Sequence, residues 1–221
     1  MSIAIPQTEA EWLQVRLKGI GASEASAVIG CNPYMSNVDL WKIKTGRKQA
    51  PDISSDDHVA YGHAAEGPIR DLFALDYPEY EVSYGGQFDI VRNPDHPWLF
   101  ATLDGRLVER ATGLHGVYEG KTTEIIRSMQ KEKWRDGVPQ NYYVQNLHQL
   151  LASCWDFAVL HAQLKYTYTI GKIPVIRTER RTYRIDRAEV IDDLNYLLEK
   201  EIKFWDYVQR DEMPPLILPE I

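Results

Sequence analysis

Along the 221-residue chain, helical spacing governs the first third, and β-branched and aromatic residues take over from Tyr80. Helical stretches then interrupt and close the strand region. Thr8 is placed to cap a helix running to about Lys18, which Gly19-Ile20-Gly21 breaks, and Ser23 opens a second short helix ending at Gly30. After a turn at Asn32-Pro33, Asn37 to Thr45 reads as a third helix closed by Gly46. A fourth runs from about Val59 to Leu75, with Ile69, Leu72 and Phe73 in register on one face. Tyr80 to Val91 and Trp98 to Ala101 predict strands separated by a turn at Asn93-Pro94-Asp95. Arg106 to Glu109 and Val117 to Thr122 follow as strands around the Ala111-Thr112-Gly113 turn. Helices are expected over Glu124 to Arg135 and Asn141 to Ser153, the second with Pro139 suited to its first turn. Phe157 to Tyr168 and Val175 to Ile185 form a hairpin. A last helix begins at Asp186, with Glu189 completing a capping box, and carries Val190, Leu194, Leu197, Leu198, Ile202 and Trp205 to about Gln209.

No repeat or long linker divides the chain, so residues 1–221 are expected to form a single domain. Its parts are a helical N-terminal region of about 8–77, a sheet core of about 80–185 and a C-terminal helix of about 187–209. Helices first, then a sheet flanked by helices, give an α/β or α+β class. Composition narrows the function more than the fold. With 44% hydrophobic and 26% charged residues the chain is globular, which excludes disorder and fibres. The chain has no apolar run of bilayer-spanning length, and its start lacks the basic flank and apolar stretch of a signal peptide, so the cytosol is expected. Cys31 and Cys154 make no CxxC, which leaves oxygen or nitrogen ligands and favours a hard cation. A net charge of −7 argues mildly against nucleic acid, although phosphate binding depends on local basic clusters rather than on the sum.

The strongest chemical signal is Asp104, in Thr102-Leu103-Asp104-Gly105, followed by Glu119-Gly120-Lys121. Side chains two apart in a strand share a face, which puts Glu119 beside Lys121, and a neighbouring strand or turn would bring Asp104 to them. Two carboxylates, with the Gly120 carbonyl as a further ligand, suit magnesium together with water and a substrate phosphate. Lys121 is then placed to orient or deprotonate the attacking water, the arrangement for metal-assisted phosphodiester hydrolysis. An isolated Glu-x-Lys is otherwise an ordinary surface ion pair.

Asp104 with Glu119-x-Lys121 resembles the PD-(D/E)xK nuclease pattern, Leu103 replacing its proline. The stretch Trp12-x-x-x-Arg16-x-x-Gly19-Ile20-Gly21-Ala22-Ser23-Glu24, running on through Ile29-Gly30-Cys31-Asn32-Pro33-Tyr34, Leu40-Trp41 and Thr45-Gly46, resembles the YqaJ-type viral recombinase family, which includes phage lambda exonuclease. Gly62-x-x-x-Glu66 and Tyr142-x-x-Gln145-x-x-x-Gln149 follow in family order, so the resemblance spans about Trp12 to Ala152. It implies a restriction-endonuclease-like core with a mixed central sheet flanked by helices. It also implies a magnesium enzyme, with manganese able to substitute, that degrades one strand of linear double-stranded DNA from a 5′-phosphate end. The 3′ single-stranded overhangs left behind would serve annealing recombination in a bacterial host, for a phage or prophage, with a single-strand annealing protein as partner and a ring-shaped homotrimer as the assembly. By position, Asp104, Glu119 and Glu66 resemble the metal carboxylates, Lys121 the catalytic lysine and Gln145 a supporting glutamine. Arg16, Ser23 and Thr102 resemble the pocket for the terminal 5′-phosphate, and a serine opening a helix suits an anion on independent grounds. A structure-specific endonuclease of the same fold, or an inactive DNA-binding module, are the rival functions.

Basic clusters at Arg127, Lys131, Lys133 and Arg135, and at Arg177, Arg180, Arg181 and Arg184, are candidate phosphate contacts, although such runs are usually solvated faces. His63 and His148 lie near site candidates in sequence, but each reads more naturally as a core or surface histidine.

Overall fold

The computed structural model describes residues 6–51, 56–125, 132, 134–135 and 137–218. Helix α1 (Glu9–Leu17) starts where expected, Thr8 Oγ1 accepting the Glu11 N–H at 3.3 Å. It ends because Gly19 must pass close to another strand: a Cβ there would lie 2.1 Å from the Trp98 carbonyl oxygen. That approach lets the two-residue β1 (Ile20–Gly21) pair in parallel with β4 (Leu99–Thr102), while β3 (Ile90–Arg92) lies antiparallel on the other side of β4. Helices α2 (Ala22–Val28), α3 (Asn37–Lys44) and α4 (Asp57–Asp76) complete the N-terminal region.

The larger sheet has the order β2-β5-β6-β7-β8, built from Tyr80–Ser83, Gly105–Glu109, His115–Glu124, Phe157–Ile170 and Ile173–Asp186. Its one parallel pair is β6 with β7, which requires a crossover, and α5 (Gln140–Ser153) lies on that path. The α/β class with a mixed sheet flanked by helices is therefore what forms, with the small β1-β4-β3 sheet beside the main one rather than merged into it. Alternation splits β6 between two faces. Tyr118 packs with Phe73 of α4, whereas Glu119 turns to α5. On α4, Ile69 and Phe73 are buried as expected, but Leu72 is 41% exposed, because the helical period carries it to the edge of the face.

The start of the last helix is also corrected. Asp186 pairs with Phe157 as the final rung of the β7–β8 ladder, and its carboxylate accepts from Arg184 Nε at 2.9 Å instead of capping a helix. A 3₁₀ turn (Arg187–Glu189) intervenes, and α6 spans Ile191–Arg210. Its buried stripe holds Leu194, Leu197, Phe204 and Trp205, with Ile202 left outside. Within that stripe Glu201 meets His148 Nδ1 at 2.6 Å, and His148 Nε2 lies 2.9 Å from the Phe100 carbonyl, tying β4, α5 and α6 together. Burial opposes charge on this imidazole, but Glu201 outweighs it and raises the ring above its ordinary value. His148 is thus a core residue.

Glu124, expected to open a helix, closes β6 instead, and most of that expected helix lies outside the described residues. Strand β6 follows β7 only as far as the Glu124–Lys165 pair, so beyond it β7 and β8 continue as a two-stranded ribbon to the Ile170–Ile173 turn. Among the described residues no helix is long and apolar enough to cross a membrane.

Candidate active site

The antiparallel ladder of β5 and β6 reaches Gly105 opposite Tyr118, so the next residue, Asp104, arrives beside Glu119. Asp104 Oδ2 accepts the Gly120 N–H at 3.0 Å, and the Asp104 carbonyl accepts from Arg70 of α4 at 2.7 Å. Leu103, in the place of the motif's proline, is buried in the main core with Val117 and Leu147; an apolar anchor at this position leaves the neighbouring acid in place.

Glu119 is 1% exposed and its carboxylate is fully engaged. Oε1 accepts from Gln145 Nε2 at 2.5 Å and meets Lys121 Nζ at 2.5 Å, and Oε2 accepts from Gln149 Nε2. Gln145 and Gln149 stand one turn apart on α5, so a single helix face grips both oxygens. Gln149 belonged to the sequence motif without a role; its i+4 relation to Gln145 was the signal for it.

The electrostatics favour a cation here. Burial first, and then the Glu119 carboxylate, push the Asp104 carboxyl well above the usual range, opposed by Lys121 and the Gly120 N–H. Burial alone would lower Lys121, yet Glu119 and Asp104 raise it above its ordinary value, so the side chain is an ammonium. Beside Glu119, this ammonium is placed to orient a water by donating to it. Asp104 and Glu119 fit magnesium, which uses one or two carboxylates and fills its remaining positions with water and phosphate. Glu66 is not gathered in: it faces His63 at 3.3 Å, although its charge is felt at Asp104. Among the described residues no three acidic, histidine or cysteine side chains form a metal cage, so the centre is a carboxylate pair balanced by a lysine. The visible contribution of Gly120 is its N–H.

The second group of candidates also converges. Arg16 Nη2 lies 3.4 Å from Ser23 Oγ, and its guanidinium stacks 4.8 Å from the Trp12 ring centroid. Trp12 Nε1 donates to Thr102 Oγ1 at 3.0 Å, bringing Thr102 into the same cluster two residues before Asp104. Ser23 does not open its helix. Gly21 is the N-cap, and its N–H donates to Glu24 Oε2 at 2.9 Å, so Ser23 stands inside the first turn with Arg16 beside it. Glu24 and Lys44 are the residues that sequence reasoning missed. Glu24 pairs with Arg16 at 3.1 Å and with buried Lys44 at 2.6 Å, while Lys44 also donates to the Arg16 carbonyl at 2.7 Å.

The basic clusters hold less free charge than their sequence suggests. Arg180 pairs with Asp76, Arg181 with Glu179, and Arg184 with Glu109 and Asp186. Arg127, Lys131 and Lys133 lie outside the described residues.

The chain is 30% identical over 215 residues to the Bacillus subtilis (strain 168) protein YqaJ, covering 93% of this chain and 58% of that protein, so it spans somewhat over half the length of that relative. Its fold is similar to an alkaline exonuclease (LHK-Exo) from Laribacter hongkongensis, with TM-score 0.56 and 17% identity over 91% of this chain and 97% of that one. The same enzyme in complex with dAMP gives 0.57 at 18% identity, with the same shares of the two chains covered. A phage related exonuclease from Haemophilus somnus 129PT gives 0.54 at 14% identity, covering 87% of this chain and 96% of that chain. These likenesses establish the fold. The model of the YqaJ-like viral recombinase domain matches residues 11–154, a span that holds Arg16, Glu24, Asp104, Glu119, Lys121 and both glutamines, and the chain belongs to that family.

Proposed function

We propose that the protein is a magnesium-dependent exonuclease that degrades one strand of linear double-stranded DNA from a 5′-phosphate end, leaving 3′ overhangs for annealing recombination. The observation that carries it is the Asp104–Glu119–Lys121 centre, built on buried Glu119 and joined through Thr102 and Trp12 to the Arg16 cluster. Thr102, bonded to the Trp12 that stacks on Arg16, precedes Asp104 by two residues, roughly 7 Å of extended chain, which supports one site for a terminal phosphate and the adjacent phosphodiester. The exonuclease names of the structural relatives support the same activity.

Asp104 and Glu119 would hold the metal, which supplies charge stabilisation for the phosphoryl oxygens. The rest falls to the chain. Gln145 and Gln149 fix the Glu119 carboxylate so that Lys121 can leave it and donate to water or to a phosphoryl oxygen. Arg16, with five N–H donors, retains capacity for phosphate while paired to Glu24, and Trp12 holds its plane. Manganese is expected to replace magnesium, and a single-strand annealing protein is the expected partner. Digestion of a linear duplex labelled separately at each end, with magnesium and with chelator, tests this function. Release from the 5′ end only, with magnesium, is expected. Cleavage of closed circles would favour an endonuclease, and binding without turnover an inactive module.

Arg16→Ala should shrink the rate advantage of a 5′-phosphate over a 5′-hydroxyl end by about 10-fold or more, since a charged hydrogen bond contributes about 1.5–3 kcal/mol. An unchanged ratio would make Arg16 a structural residue. The assembly belonging to this function is a homotrimeric ring, in which basic inner walls coexist with a chain charge of −7. Light scattering should return three times the 25.5 kDa of one chain, and a concentration-independent single-chain mass would remove the ring.

A further inference from the structure

Strand β2 points Tyr80 and Val82 inward against Phe73, and the next residue in that alternation is Tyr84. The strand stops at Ser83, however, so Tyr84 leaves the core and is 47% exposed. Arg70 catches it. The guanidinium sits 4.0 Å from the Tyr84 ring centroid while donating to the Asp104 carbonyl at 2.7 Å, so one side chain fixes both the ring and the loop bearing the catalytic acid. Burial raises the phenol above its ordinary value, opposed by Arg70 and reinforced by Glu66, Asp104 and Asp89.

The loop that begins at Tyr84 is held at its other end as well. Asp89 takes a two-pronged contact from Arg106, Nε at 2.8 Å and Nη2 at 2.6 Å. Gly85 has no room for a side chain, since a Cβ would lie 2.0 Å from the Asp89 carboxylate. Phe88 lies 6.5 Å from Trp12, the residue that links Thr102 to Arg16. The segment 84–89 therefore runs from the carboxylate centre to the Arg16 cluster with an aromatic ring at each end.

We propose that Tyr84 is a base-stacking residue, whose ring, backed by Arg70, receives the base of the terminal nucleotide while the adjacent phosphodiester lies at Asp104 and Glu119. The ligand is an unpaired nucleobase of any identity, because every base offers a π-face and Tyr84 offers no reading edge. Arg70 on one side of the ring strengthens the stack and sets its orientation. The assignment rests on the nuclease function proposed above, and its test separates the two.

Initial rates are compared on two linear duplexes, one with a normal 5′-phosphorylated terminal nucleotide and one with an abasic sugar in that position. The wild-type protein should prefer the normal end by roughly 10-fold, the scale of one base–aromatic stack. Tyr84→Ala should bring that ratio close to one by losing rate on the normal end only, and Tyr84→Phe should keep it. Because Tyr84 is half exposed, its thermal transition should stay with the wild type. An unchanged ratio in Tyr84→Ala overturns the stacking role while leaving the nuclease intact. A wild-type protein that cleaves neither duplex removes both.

Discussion

Lys121→Ala should abolish cleavage, by at least about 10²–10⁴-fold in kcat, with duplex affinity nearly unchanged. The side chain is the ammonium that meets Glu119, at 2.5 Å, half-buried and 5.4 Å from the Tyr142 ring centroid, and a lysine is no metal ligand in this state. Its loss removes the group that would orient water or steady a phosphoryl oxygen, while Gln145 and Gln149 still hold Glu119. The same geometry gives a second readout with a sign. The ammonium competes with a metal for Glu119 Oε1, so calorimetric magnesium affinity should hold or tighten in this variant. Asp104→Ala should weaken it. Turnover close to wild type in a folded Lys121→Ala protein would remove the active-site assignment, and a weakened metal affinity would mean that the lysine supports the ligands rather than competing with a cation.

Glu24→Gln is expected to be the most damaging single change away from the carboxylate centre, at about 3–5 kcal/mol of stability, the scale for breaking a buried ion pair from one side. The substitution keeps the shape but leaves Lys44 as a buried ammonium without its carboxylate. Burial alone would raise the Glu24 carboxyl; Lys44, Arg16 and the Gly21 N–H overcome this and bring it from 4.5 to about 2. Lys44 shifts the other way, burial pulling it below its ordinary value despite Glu24, so the intact pair contributes less than the depressed carboxyl alone would suggest. A depressed carboxyl contributes stability that is complete above its unfolded value of 4.5 and is lost as pH falls through about 2. Wild type and Glu24→Gln should therefore differ most above pH 5 and converge in strong acid. Denaturation midpoints across that range measure it, and variants within about 1 kcal/mol at pH 7 would show that Lys44 sheds its proton and tolerates the loss.

The parts legible in the sequence were those set by neighbours along the chain. Thr8 and Asn37 begin their helices where local spacing put them, and the period of a strand was enough to put Glu119 beside Lys121. Asp104 needed only the short β5–β6 hairpin to reach them. What stayed hidden depends on contacts between distant positions. Trp12 and Thr102 are 90 residues apart in the chain, Arg70 and Asp104 are 34 apart, and no periodicity relates them. Glu24 and Lys44 could each have been a surface charge; only the packing of α2 and α3 buries both. Asp186 had a complete capping signature and lost it to Arg184, a partner two residues away in a strand that ran longer than its turn signals allowed.

The hairpin of β7 and β8 divides one continuous strand into two regimes of local opening. From Phe157 to Leu164, β7 lies between two partners and is buried at every residue but Gln163, so its amides should exchange with solvent only when the sheet itself opens. From Thr167 the same strand has one partner and both faces in water, a two-stranded ribbon of the kind that is only marginally stable by itself. Fraying at the Gly171–Lys172 turn therefore does not propagate to Ala162, the rung beside Lys121, roughly 30 Å along the strand. Chain can be cut, labelled or inserted at that tip while the chemistry at the other end keeps its geometry.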